Sequence, residues 1–136
     1  MTFERIEIDG VTYAEIIRAG ARVTTSTFVS RPDSSFQLGL LAHHAGFVEP
    51  VHYHKKVTRH VEDLQQFLVV QTGRIAITFH ADDGRLLREV VLGPGDAILL
   101  VHGAHSLRML DDSQCISVKQ GPFLGAENDK VELQRR

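Results

Sequence analysis

The chain is poor in the residues from which covalent and membrane-spanning scaffolds are built. Its 136 residues include one cysteine, Cys115, and no tryptophan. A lone thiol closes no intrachain disulfide and builds no multi-cysteine zinc cage. The longest apolar run, Ala97 to Val101, is five residues, far short of the roughly 20 that a transmembrane helix needs. There is no excess of one charge either: 15 Lys and Arg face 17 Asp and Glu, for a formal net charge of −2. Nucleic acid and anionic membranes are held by clustered positive charge, so neither is expected as a partner. The opening residues, Met1 to Arg5, carry mixed charge and no apolar signal-peptide core, which leads us to expect a cytoplasmic protein. Repeats, low-complexity tracts and linkers rich in Pro, Gly or Ser are missing as well. Residues 1–136 are therefore expected to form one domain, and a composition 43% hydrophobic and 24% charged suits a buried core.

What the sequence does hold is alternation. Ile75, Ile77 and Phe79 fall on one side of a predicted strand and Ala76 and Thr78 on the other. Asp83-Gly84 then turns the chain into Leu86 to Leu92, since glycine tolerates the positive φ of tight hairpin turns. Asp9-Gly10 does the same between Ile6 to Ile8 and Val11 to Tyr13, although Tyr13 to Arg18 also suits a short helical turn. Further β-prone runs are Thr24 to Val29, Phe36 to Ala42, Gln66 to Gln71, Ala97 to Val101, Ser106 to Leu110 and Cys115 to Lys119. Many short strands at about ten-residue spacing predict an all-β antiparallel sandwich or small barrel. The polar stretch from Gly125 to Arg136 reads as a surface tail, with Val131 and Leu133 able to tuck against the body.

Histidine is the other abundance. Five of eight, His43, His44, His52, His54 and His60, fall within 18 residues. In a strand, His52 and His54 point to one face about 6–7 Å apart, and two neutral imidazoles so placed can converge on a transition-metal ion. By itself His-x-His also describes two hydrogen-bonded surface histidines.

Residues 46–54, Gly-Phe-Val-Glu-Pro-Val-His-Tyr-His, resemble the first signature of the cupin superfamily, a Gly, five residues and His-x-His. Residues 95–105, Gly-Asp-Ala-Ile-Leu-Leu-Val-His-Gly-Ala-His, resemble the second, and the likeness extends over residues 38–119. It implies a small cupin-like antiparallel β-barrel (jelly-roll) with one divalent transition metal, Fe, Mn, Ni or Zn, held inside by His52, His54, Gln66 and His105. Gln66 stands where the family has Glu, and an amide oxygen is a weaker ligand than a carboxylate. Eleven residues separate His54 from Gln66 where the family has three or four, so residues 55–65 are expected to loop near the barrel mouth. The second signature is one residue short and carries Val101 in place of Pro, which makes His102 an understudy to His105. The closing segment, Val118 to Phe123, together with Phe36 to Gly39 and the Gly103-Ala104-His105 turn, resembles a cupin subgroup linked to polysaccharide or nucleotide-sugar biosynthesis.

Strand parity agrees with an inward Gln66, which shares a face with Leu68 and Val70. A buried amide needs partners, and either an ion or the neighbouring histidines alone would supply them. Phe67 and Val69 make the other face apolar, which points to a second sheet or a dimer interface. Lys55, Lys56 and Arg59 form a basic cluster able to hold an anion or simply to be solvated. His60 and Glu62 could act as acid and base, and only one of the adjacent pair His43 and His44 can look inward. Cys115 reads as an inert buried thiol, and Phe123, after the strand-ending Gly121-Pro122, as a cap on the barrel end.

These readings lead us to expect a metal-binding cupin, a homodimer, acting on a carbohydrate-like or other small polar molecule inside the barrel by isomerase, epimerase or oxygenase chemistry. A non-catalytic ligand-binding or sensor module and a metal-free sugar isomerase run by paired histidines are the alternatives.

Overall fold

A computed structural model describes residues 3–134. The described residues are all-β except for one helical turn. Strands β1 (Phe3–Ile8) and β2 (Val11–Ile17) form the first hairpin, whose turn residues Asp9 and Gly10 both have positive φ, 51° and 77°. That is the backbone a two-residue hairpin loop demands. The strand runs through to Ile17 because Ala14, Ile16 and Ile17 are buried, so sheet packing settles the ambiguity at Tyr13 to Arg18 against a helix.

Next come β3 (Thr27–Phe28) and β4 (Gly39–Leu40), which pair with each other as a separate two-stranded sheet. They are shorter than the runs predicted at 24–29 and 36–42. Six further strands follow a long extended segment: β5 (Gln66–Thr72), β6 (Ile75–His80), β7 (Leu86–Leu92), β8 (Ala97–Leu100), β9 (Ala104–Met109) and β10 (Gln114–Lys119), before the turn α1 (Ala126–Asp129). All pairings are antiparallel, in a five-stranded sheet ordered β1-β2-β8-β5-β10, a three-stranded sheet ordered β7-β6-β9, and the β3-β4 pair.

The two larger sheets share one core. Ile6, Ile16, Leu68, Val70, Ile98 and Leu100 from the five-stranded sheet pack with Ile75, Ile77, Phe79, Val90 and Leu92 from the other. At about 25 cal/mol per Å², burial of such side chains is the dominant favourable contribution to folding. Central strand β6 is buried along its whole length. On its second face lies His80, whose Nδ1–H donates to the Gly84 carbonyl at 2.9 Å while Nε2 meets the Thr78 hydroxyl at 2.8 Å. His80 thereby locks the Asp83-Gly84 hairpin in which Gly84 takes φ 90°.

Asp96, in the second signature, clasps the turn before β8. Its carboxylate accepts the Ala19 and Gly93 backbone N–H groups at 2.8 and 2.9 Å and lies 3.2 Å from Arg18 Nη1. Arg18 in turn makes a two-pronged pair with Glu4 at 3.0 and 3.1 Å. Burial opposes the charge on Asp96, but these donors outweigh it and hold the carboxyl below its ordinary pKa.

One side of the sandwich is open. Strands β9 and β10 are joined by only residues 110–113 but belong to different sheets, and among the described residues no pairing joins them. A closed barrel is therefore not formed by these pairings. Phe123 does not cap an end: the ladder stops at Lys119, and the ring is 85% exposed. Val131 is exposed as well. No helix among the described residues is long and apolar enough to cross a membrane.

Candidate functional site

At the open end of the sandwich, a cavity of about 140 Å³ is lined by Asp63, Leu64, Gln66, Leu100, Val101, His102, Gly103 and His105. Each element delivers its side chain for a local reason. Gln66 is the first residue of β5 and pairs with Leu100 and Lys119. As the alternation predicts, it shares a face with the buried Leu68 and Val70. Its Nε2 donates to Ser117 Oγ at 2.9 Å, leaving the amide oxygen as an acceptor.

His105 enters from the other sheet, opposite the fully buried Phe79, so it lies on the core-side face of β9, although the residue itself is still exposed. Burial lowers its pKa, a contact with the Gly103 backbone partly opposes this, and the nearby Lys130 charge adds to the lowering. His102 sits on the intervening turn with its ring edge-on to Tyr13, centroids 5.5 Å apart. Gly103 has φ 82°, and a Cβ there would run into the Tyr13 ring, so the turn that presents both histidines is shaped for glycine. His105 and its understudy His102 thus line one cavity.

His52 and His54 are placed differently. Their rings stack at 5.4 Å with an interplanar angle of 13°, close to the spacing expected of a strand pair, but residues 45–64 belong to no strand and are exposed throughout. The alternation is present and a strand to pair with is not, which leaves these residues extended. His52 Nδ1–H donates to the Pro50 carbonyl at 2.9 Å, and Nε2 lies 3.4 Å from Glu49 Oε1. A histidine held by Nδ1–H to a carbonyl is the usual arrangement for one whose Nε2 binds a metal.

The donors suit a borderline divalent ion: imidazole nitrogens and one amide oxygen. Their placement within a single copy does not. Gln66 and His105 line the cavity while His52 and His54 do not, and among the described residues no three His, Cys, Asp or Glu side chains converge.

The remaining candidates are dispersed. His43 stacks on Phe47 at 3.9 Å and meets Ser26 Oγ at 3.3 Å; with His44 it lines a separate, more open pocket beside Thr24, Thr25 and Ala42, and both are exposed, so neither looks into the sandwich. His60 and Glu62 pair at 3.0 Å in full solvent. The residues 55–62 loop, including Lys55, Lys56 and Arg59, is exposed. Cys115 is half-buried rather than buried, and what burial it has raises its thiol pKa.

Two glutamines flanking the paired strands β5 and β10 escape a reading of the sequence. Buried Gln65 accepts from Phe36 N at 3.3 Å and Ser34 Oγ at 3.4 Å, and its own N–H donates to Gln120 Oε1 at 2.7 Å. The Gln120 Nε2 group is buried without a partner among the described residues. The only signal for them is position, immediately before β5 and immediately after β10. No family model matches the chain, and neither curated proteins nor solved structures give a significant match.

Proposed function

We propose that the protein is a small-molecule enzyme of the cupin kind, which takes a small polar, carbohydrate-like molecule into a jelly-roll interior beside a divalent transition metal (Fe, Mn, Ni or Zn). The observation that carries this reading is the meeting of Gln66 and His105, from opposite sheets, at one cavity with an otherwise largely apolar core behind it. Asp63, Gln66, His102 and His105 converge there beside Leu64, Leu100 and Val101, a mixed lining that can fix the orientation of a small polar molecule. A volume of about 140 Å³ is comparable to one that holds benzene, so it suits a ring-sized portion of a ligand.

Holding the ion with all four residues of the resemblance would require His52 and His54, exposed on residues 45–64, to come to the cavity that Gln66 and His105 line. When bound, the ion would polarise a carbonyl or hydroxyl oxygen of the substrate. The chain's own groups do the rest: Gln66 accepts through its amide oxygen, fixed by the bond to Ser117, and the His102–Gly103 turn on Tyr13 limits the depth of entry.

Elemental analysis of the purified full chain tests the reading, with a His52→Ala, His54→Ala double variant alongside. A near-stoichiometric transition metal that the variant loses is expected. Wild-type protein that takes up none of Fe, Mn, Ni or Zn would contradict it. That result would favour a metal-free ligand-binding module, for which the satisfied Gln66 Nε2 is the supporting observation.

A further inference from the structure

Two lysines reach the cavity that Gln66 and His105 line, each from a different part of the chain. Lys119 ends β10 directly opposite Gln66. Opposed residues of an antiparallel pair put their side chains on one face, with Cβ atoms about 4.5–5.5 Å apart, so Lys119 stands beside the cavity on Gln66's side of the sheet. The Gln66 amide is bonded to Ser117 and not to Lys119. Lys130 arrives by another route. After β10 the chain passes through Gly121-Pro122 and the turn α1, and Lys130 closes that turn with its N–H donating to the Ala126 carbonyl at 2.9 Å. Its charge is felt at His105, where it adds to the lowering of the imidazole pKa. The closing segment of the chain thus brings one cation to the Gln66 side of the recess and another to the His105 side.

Neither cation is neutralised. Among the described residues, Lys119 and Lys130 make no ion pair. Asp63 lines the cavity without pairing with either, and the tail acids Glu127, Asp129 and Glu132 leave Lys130 unpaired as well. The whole chain has a formal net charge of −2, so two unpaired cations here are a local arrangement and not a general basic character. Cations around a low-dielectric recess raise the local concentration of anions. The lining offers the opposite chemistry. The Asp63 carboxylate and the Gln66 amide oxygen accept hydrogen bonds, which suits hydroxyl donors.

We infer that the molecule taken into this cavity is a polyhydroxylated anion, its carboxylate or phosphate held by Lys119 and Lys130 at the mouth and its hydroxyls donating to Asp63 and to the Gln66 amide oxygen. The inference rests on the reading of the cavity as a small-molecule site and narrows its substrate class to sugar acids or sugar phosphates; it requires no ion. Size agrees with this division. A recess of about 140 Å³ takes a ring-sized portion, which leaves the charged group outside, where the lysines are. An ammonium on a flexible stem, with three donors, meets a carboxylate or a phosphate equally well, and a charge-assisted bond is the stronger kind.

Isothermal titration calorimetry on the purified full chain tests this with three probes of similar size: glucuronate, glucose 6-phosphate and neutral glucose. At low salt at least one of the two anions should bind about tenfold or more tightly than glucose, and which one does so names the anionic group. High salt should erase the preference, a readout that depends on no variant. Lys119→Gln, Lys130→Gln keeps both stems, removes both charges and should abolish the preference, whereas Lys119→Arg, Lys130→Arg should retain most of it. Lys55→Gln, Lys56→Gln, in the exposed loop, is the control and should leave it unchanged. Glucose binding as tightly as both anions overturns the inference. So does the absence of binding by all three probes, a preference that survives Lys119→Gln, Lys130→Gln, or one lost equally in the control. Elemental analysis of the same samples separates the two readings. Anion preference in protein that takes up no transition metal keeps this inference and rejects the ion; metal uptake with no anion preference rejects this inference and keeps the ion.

Discussion

Gln66 and His105 stand on different sheets, opposite Leu100 and Phe79 respectively, yet line one cavity at the open end of the sandwich. Their meeting depends on the two sheets sharing a core, and this makes the cavity a property of the fold rather than of one loop.

Replacing Gln66 by Glu puts a carboxylate at a residue that lines the cavity. A hard anionic oxygen binds a divalent ion more strongly than a neutral one, so Gln66→Glu should tighten metal binding by about tenfold or more. Competition against a chelator measures it. Equal affinity in the two proteins would show that residue 66 is not a ligand.

The Asp96 clasp should make stability depend on pH with a definite sign. Its folded-state pKa is held below the ordinary 3.8, so its contribution is fully present above that value and is lost as pH falls through the lower, folded-state pKa. Asp96→Asn removes the charge and should cost about 1–3 kcal/mol at neutral pH. Urea melts across the acid range should show wild type and variant converging as pH drops, and a constant gap would refute the linkage.

Gly103→Ala places a methyl against the Tyr13 ring at a φ of 82°. Strain of this type costs about 1–3 kcal/mol, and relief requires the His102–His105 turn to shift. We expect lower thermal stability together with weaker metal binding. Loss of stability alone would separate the turn from the site.

His80 serves as the contrasting histidine. It is buried, with both ring nitrogens engaged by Thr78 and Gly84. His80→Ala should destabilise by about 2 kcal/mol, through orphaned polar partners and a small void, without changing metal stoichiometry at a temperature where the variant is folded. Altered stoichiometry would mean that the hairpin reaches the site.

Much of this was legible in the sequence because it depends on neighbours along the chain. Asp9-Gly10 announces its turn through backbone sterics alone, and the inward face of Gln66 follows from the two-residue period it shares with Leu68 and Val70. Gly95-Asp96 was readable as a motif, but its task was not, since the groups it holds, Arg18 and the Ala19 N–H, lie 77 or 78 residues away. The same limit applies to Gln120, whose partner is Gln65, 55 residues distant. His52 and His54 are the instructive pair. Their spacing encodes a strand, but a strand forms only against an edge, and no local pattern states which edge that is. Phe123 shows the converse, an aromatic residue after a strand end that caps nothing.

X-ray absorption at the metal edge tests the central claim most directly, because it counts ligands of each kind. Metal-loaded wild-type protein should show three imidazole nitrogens and an amide oxygen, falling to two imidazoles in His105→Ala and to one in the His52→Ala, His54→Ala variant. Two imidazoles in the wild type, unchanged by His105→Ala, would contradict this and place any ion on residues 45–64 alone.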